Sequence, residues 1–356
     1  MELQIDALVA NENGFQAFGN TAQKLLSTGM NINSIRPWIG QDGKSYMTLI
    51  KNGKPVAVPV VNATLRKDEW KQYDQAILKA AQERLIGIAD LESKGLVYNV
   101  ANGLGKTVLE YEDIGDITAA EVNMDGASKT KGDRPNYDIK YLPLPIISKD
   151  FQINLRALTA SRNTGDALDT TMAEMAAREV AEKAEDILFN GLSAYTFGGG
   201  TIRGYRDFAN RNTYSLTAHW NDSAATGATM LADLIAMKQA AINDKHYGPY
   251  VLYIPTAYEA SIDDDFKANS DKSIRQRLLE VGGITNIRVA DKMTADNILL
   301  VEMNSSTVRL VKGLAITTVE WQSEGGMIHH YKVMAIMVPQ IRADQNGNCG
   351  IVHGTL

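Results

Sequence analysis

Cysteine is almost absent. The 356 residues contain one, Cys349. A single thiol excludes an internal disulfide and a cysteine-based zinc site, and it points to no oxidising compartment. Basic excess is lacking too. The net charge is -6 and the pI is near 5.5, whereas proteins that grip nucleic acid concentrate Lys and Arg to displace phosphate counterions. No apolar run approaches the roughly 18 residues of a membrane helix. Residues 1–10 have neither a basic start nor an apolar stretch, so no signal peptide is expected and the product reads as soluble and intracellular. Internal repeats are not visible.

What remains is an ordinary globular composition, 44% hydrophobic and 22% charged. Residues 1–63 are rich in Asn and Gly and read as an arm. Two apolar runs within it, Tyr46 to Lys51 and Val56 to Val61, flank Asn52-Gly53-Lys54. Asn-Gly tolerates positive φ and predicts a hairpin. From Leu65 to Lys94 the three- and four-residue spacing of Trp70, Tyr73, Ile77, Ala81, Leu85, Ile88 and Leu91 predicts one helix, stopped by Gly95. Residues 97–141 are polar and Gly-rich, with a strand-like piece at Thr107 to Tyr111. They lack the periodicity of a core-forming segment, and so long a loop is usually functional.

Tyr141 to Leu158 reads as strand, with Leu142, Leu144 and Ile146 alternating around prolines. A helix follows from an Asp166 cap to about Phe189. Leu168, Met172, Met175, Val180, Ala184 and Ile187 form its expected core side, and Glu174, Arg178, Glu182 and Glu185 its outer side. Beyond it the pattern predicts a helix at Met230 to Asn243 and strands at Tyr250 to Ile254, Ile287 to Val289, Ile298 to Glu302, Val308 to Val311 and Ile316 to Trp321. A last strand, Ile328 to Val338, ends at Pro339.

None of the possible chemical motifs is complete. Gly103-Leu104-Gly105-Lys106-Thr107 resembles the end of a phosphate-binding loop, but Val100 stands where the first glycine belongs, and a strand rather than a helix is expected after it. His329 and His330 are neighbours in a strand, so they face opposite ways and cannot share a metal. His219, His246 and His353 are scattered. Asp263-Asp264-Asp265 lacks the spacing of a calcium loop and reads as a solvated turn. Gly198-Gly199-Gly200 reads as a flexible tip. Cys349 shows no histidine partner in sequence. The expectation is no catalytic, cofactor or metal site.

Three segments in order, Val180 to Gly191, Thr201-Ile202-Arg203-Gly204-Tyr205 and Gly248-Pro249-Tyr250 with its strand, resemble the shell-forming proteins of the Hong Kong 97 capsid fold. These are the tailed-phage major capsid proteins and the encapsulins. The resemblance covers about Leu65 to the C-terminus and implies an α+β fold. It divides the chain into an N-terminal arm (1–63), a first helix of the peripheral domain (64–96) and an extended E-loop (97–141). The peripheral domain with its spine helix (166–190) then spans 142–225, an axial domain 226–315, and a return strand 316–356. It further implies self-assembly into pentamers and hexamers through arm, E-loop and axial domain, and an icosahedral head that encloses double-stranded DNA without reading its sequence. Scaffolding, portal and decoration proteins are the implied partners, with no membrane, and the implied location is the virion, assembled in bacterial cytoplasm. Encapsulins begin close to the first helix, whereas this chain carries about sixty further residues and a longer loop, both as in phage capsids. The competing readings are an encapsulin-type compartment around an enzyme cargo and an enzyme of mixed α/β fold. Lys129 and Lys131 in the loop could form isopeptide bonds as in some relatives, but no acceptor is identifiable and none is expected.

The arm has too little apolar surface to fold alone, and its strands are expected to pair on a neighbouring subunit. Deleting residues 1–45 should leave soluble subunits with native circular dichroism but block shell formation. Normal particles of unchanged size from the truncated chain would show the arm to be dispensable.

Overall fold

The computed structural model describes residues 38–40, 42, 44–51, 54–59, 65–82, 85–114, 122, 124, 137–156, 159, 170–267, 272–344 and 346–356. The chain divides into two compact units: residues 1–107, 144–185 and 310–338, and residues 108–143, 186–309 and 339–356.

In the first unit, β1 (Trp38–Ile39), β2 (Ser45–Lys51), β3 (Lys54–Pro59) and β4 (Leu65–Arg66) form a sheet in the order β3-β2-β1-β4. The expected hairpin is present, with Lys51 opposite Lys54; its Asn52-Gly53 turn lies outside the described residues. The hairpin is not an isolated arm, however. Through β1 it pairs within its own chain to β4, at the head of the first helix. Truncation at residue 45 therefore also removes β1, and a cut before Trp38 is the cleaner test of the preceding segment.

The single helix expected over 65–94 is two, α1 (Lys67–Gln82) and α2 (Ile86–Ser93). Leu85 leaves the helical region (φ -91, ψ 78), and the freed amides of the next turn are taken by a side chain nearly a hundred residues away. No local pattern could announce that partner. Gly95 ends α2 as expected: at φ +70 it lets Leu96 N–H donate to the Leu91 carbonyl (2.9 Å).

The segment 97–141 begins with β5 (Val97–Asn99), which pairs in parallel with β15 (Val308–Ser323). A 3-10 turn follows at Gly103–Gly105. The extension itself is the hairpin β6 (Val108–Ile114) with β7 (Tyr137–Pro143), in the second unit. Most of its tip, including Lys129 and Lys131, is outside the described residues. β8 (Ile147–Asn154) completes a sheet β5-β15-β16-β8 with β16 (Ile328–Ile341). β15 fuses the two strands expected at 308–311 and 316–321. β16 continues through Pro339, which is tolerated because pairing with β8 has already stopped at Ala335.

The long helix α3 (Thr171–Asn190) buries Val180, Ala184 and Ile187 as expected, but not the methionines of the expected stripe. Ala173, Ala176, Ala177, Val180, Ala181, Ala184, Ile187 and Leu188 are buried, while Met172 and Met175 are each 47% exposed. The five alanines occupy the turn-by-turn positions, so the neighbouring methionines are rotated outward. Glu185, expected on the outer side, is buried. Asp166 and Leu168 lie outside the described residues.

In the second unit, β9 (Leu192–Phe197) and β10 (Gly200–Ile202) form a small hairpin. A five-stranded sheet has the order β11-β17-β14-β12-β13, built from β11 (Asn212–Ser215), β12 (Tyr250–Ile254), β13 (Ile284–Val289), β14 (Asn297–Glu302) and β17 (Ile351–Thr355). Every residue of β12 is buried. Helix α4 (Gly227–Asn243) places Met230, Leu234 and Met237 in the same core as Leu252, Ile254, Ile298 and Leu300. A capping box, Thr226 with Thr229, starts it.

Gly103 and Gly313 bring the 3-10 turn and β15 into backbone contact: a Cβ on Gly103 would lie 2.3 Å from the Gly313 carbonyl oxygen. Gly103→Ala should lower stability by about 1–3 kcal/mol, the range for overpacking a close contact. Chemical denaturation of the isolated subunit checks this, and an unchanged midpoint would show that the turn can move away.

Candidate functional site

The end of α3 is where the chain concentrates its polar architecture. Glu185, 3% exposed, accepts hydrogen bonds from Gly87 N–H (2.5 Å) and Ile88 N–H (3.3 Å). These are amides of the first turn of α2, which have no partner inside their own helix and favour negative charge. Burial nevertheless dominates. It pushes the Glu185 carboxyl up to about 7, against the lowering effect of the backbone bonds, with buried Asp90 adding repulsion.

The next residues work within the second unit. Asp186 accepts from Asn190 Nδ2 (2.7 Å), which also donates to the Lys292 carbonyl (2.9 Å). Arg206 Nη1 donates to Asn190 Oδ1 (2.6 Å). Gly191 stops the helix at φ +74, and the returning chain closes it: Tyr205 and Arg206 N–H donate to the Leu188 and Phe189 carbonyls (3.0 and 2.9 Å). A Cβ on Gly204 would lie 2.3 Å from Gly191 N, so glycine is needed on both sides. Phe189, Tyr205 and Tyr253 pack ring against ring beneath, with centroids 5.1–6.2 Å apart. The spacing from Gly191 to Gly204-Tyr205 is thus set by how the returning chain closes the end of the helix.

Residues 60–354 match a family described as a family of unknown function (DUF6260). The chain belongs to that family. Two curated relatives are similar to it. The type 1 encapsulin shell protein EncA of Myxococcus xanthus (strain DK1622) is 23% identical over 256 residues, 71% of this chain and 77% of the relative. A diheme-cytochrome-encapsulin shell fusion protein of Kuenenia stuttgartiensis is 21% identical over 284 residues, 79% and 72%. Among solved structures, the virus-like particle from Pyrococcus furiosus superposes with a TM-score of 0.57 at 19% identity, covering 80% of this chain and 98% of that one. The capsid of Myoviridae phage XM1 gives 0.57 at 12% identity, covering 74% and 90%. This DUF6260 protein therefore has the Hong Kong 97 fold of capsid-like shell proteins, as the sequence resemblance implied.

The motif candidates of the DUF6260 chain fall into structural roles. Gly103–Gly105 lies between strands β5 and β6, so a strand does precede it, but no helix follows to face a phosphate. His329 is buried against Glu320 (3.1 Å), and His330 meets Ser323 (2.7 Å) and stacks on Trp321, on the opposite face. His219 pairs with Asp296 (2.8 Å). His353 lies between Arg211 and Asn297; burial and the nearby arginines push its pKa down to about 4. Asp263 pairs with Arg275 and Asp264 caps its own turn. Cys349 is buried, and desolvation pushes its thiol up to about 12, which suits no nucleophile. Gly198-Gly199 is no flexible tip. With φ of 59 and 81 it is a two-residue hairpin turn of the mirror-image type.

One constellation escaped the sequence reading. His246 Nδ1 lies 2.5 Å from Glu302 Oε2, and Thr307 Oγ1 donates to the same oxygen (2.6 Å) and lies 3.3 Å from the same Nδ1. Gly248 N–H binds the other carboxylate oxygen (3.0 Å). Hydroxyl, imidazole and carboxylate meet, but a relay needs the hydroxyl and carboxylate on opposite ring nitrogens. Here they share one. The Glu302 hydrogen bond raises the His246 pKa. Burial alone would raise that of Glu302, but its bonds from His246 and Thr307 hold it below the usual value. The cluster ties the approach to β12 onto β14. Among the described residues no group of three metal-ligating side chains converges.

Glu185 makes a pH prediction. Its folded pKa, about 7, lies above the unfolded value near 4.5. The folded state therefore holds the extra proton between these limits, and its contribution falls by about 3 kcal/mol as pH rises from 4.5 to 7. Glu185→Gln keeps an acceptor without the charge, so its stability gain over the wild type should grow across that window and then level off. Glu185→Ala should cost about 1–3 kcal/mol by orphaning the α2 amides. Parallel pH profiles for wild type and Glu185→Gln would contradict the burial argument.

Proposed function

We propose that the chain is a shell subunit, the major capsid protein of a tailed phage or prophage-derived particle, which assembles into an icosahedral head around double-stranded DNA. The reading is carried by one observation: a capsid-like fold that covers 80% of this chain and 98% of a virus-like particle subunit. Three features favour a phage head. A four-stranded sheet built from residues 38–66 stands largely ahead of the region shared with the family, which begins at residue 60. More than twenty residues of chain separate β6 from β7. The acidic net charge suits containment of DNA rather than tight binding. In this reading the subunit does no chemistry and takes no cofactor. Its partners are other copies, a scaffold, a portal and decoration proteins, and it resides in the virion.

The second reading is an encapsulin-type compartment, favoured by the curated relatives, both of which are encapsulin shell proteins. Particle contents separate the two: nuclease-protected DNA supports the head, and a co-purifying enzyme cargo supports the compartment.

The described residues on either side of 268–271 are tied together, and in this reading the segment 264–272 lies at a ring centre. Phe266 N–H bonds the Lys272 carbonyl (3.0 Å) and Ile274 N–H the Asp264 carbonyl (2.9 Å), and Lys272 and Arg277 both pair with Glu280. Asp271 lies outside the described residues. Electron microscopy of purified protein should reveal closed particles, and Lys272→Glu should weaken capsomers or change shell permeability while leaving the subunit's melting curve intact. A protein that elutes only as a monomer or small oligomer, with no particles at any concentration, would overturn the shell reading.

A further inference from the structure

β9 is an edge strand whose ladder with β10 holds at Thr196 and Phe197, shifts register between Thr201 and Ile202, and resumes at Leu192. It pairs on one side with β10 alone, and among the described residues no strand pairs with its other side. All but the first of its six residues are exposed. Proteins shield such edges with Lys, Pro or a covering segment, yet Leu192-Ser193-Ala194-Tyr195-Thr196-Phe197 has no charge and no proline. It is rich in strand-forming residues, and Tyr195 (42% exposed) and Phe197 (48%) alternate onto one face. The neighbouring strand β7 adds exposed Ile139 and Tyr141. Gly200 brings β10 against it, since a Cβ there would lie 2.1 Å from the Tyr141 carbonyl oxygen.

We propose that the outer edge of β9 pairs with the β9 edge of a second copy, antiparallel across a two-fold axis. The charge pattern selects this occupant. In a chain of net charge -6, an uncharged strip is where two identical surfaces meet without repulsion, and a two-fold contact sets the same patch against itself. The hairpin geometry fixes which groups pair. Phe197 and Gly200 flank the two-residue turn and spend their N–H and C=O on each other, so Thr196 turns its own outward. The shell reading underlies the partner's identity, and the test separates the two.

Thr196→Cys supplies a single reactive thiol, because Cys349 is buried. A short bis-maleimide added to the full chain should yield a covalent dimer. Thr196→Lys and Thr196→Glu, each alone, should lose particles and dimer contacts while keeping the wild-type melting curve, since the side chain is exposed. Mixing the two should restore both, because opposite charges then face across the axis. A role confined to the subunit's own fold would give no such rescue. Cross-linked dimers without particles would leave the pairing standing and remove the shell reading. Particles without cross-links, or a Lys variant that assembles like the wild type, would overturn the pairing.

Discussion

The buried end of α3 is the constraint on which the rest depends. A carboxylate at 3% exposure is costly unless fully bonded. Two amides of α2 that also needed an acceptor offset part of that cost for Glu185. Burial outweighs them and pushes the carboxyl up to about 7, so the bonds satisfy the amides more fully than they satisfy the charge. A residue later the logic changes from charge to backbone. Asn190 anchors the Lys292 carbonyl, and Gly191 and Gly204 allow an approach that any side chain would block. Alanines along the buried stripe let the helix lie close to its neighbours, so a small error in either cap would be felt along its length.

Polar groups elsewhere obey the same rule. Asp233, 1% exposed, accepts from Tyr214, Trp220 and both the amide and hydroxyl of Thr217. Glu302 is held by His246, Thr307 and Gly248. Each carboxylate is enclosed by donors from more than one segment. These sites resemble catalytic clusters in composition, but their donors converge on one acceptor and leave no position for a reacting atom. They fix loops to strands.

Local signals were readable where the physics is local. Gly95 after Lys94, the Asn52-Gly53 hairpin, the turn before β12 and the opposite faces of His329 and His330 all depend on a few consecutive residues, and all appear as expected. The failures share a different cause. The break between α1 and α2 answers to Glu185, and the burial of Glu185 answers to that break. Met172 and Met175 are apolar enough for a core, but the smaller alanines fit the contact and take it. β17 is five residues long and has a glycine inside it, so its place between β11 and β14 was invisible until its partners were known. The resemblance to shell proteins survived these errors because it rested on the α3 junction and the β12 turn, where several backbone constraints coincide.

The motifs that carry the resemblance are buried in the end of α3 and the approach to β12, so they leave the surface to other residues. Exposed apolar groups are spread along the described chain, and some fall in pairs on one element: Met172 and Met175 on α3, Ile139 and Tyr141 on β7, Tyr195 and Phe197 on β9. With one buried cysteine, no disulfide can hold copies together, so any assembly must draw its strength from these faces and from strand edges repeated at every contact. Each contact can then be weak. A closed shell multiplies it by the number of neighbours, and a subunit held rigid by its internal caps loses little further freedom on joining.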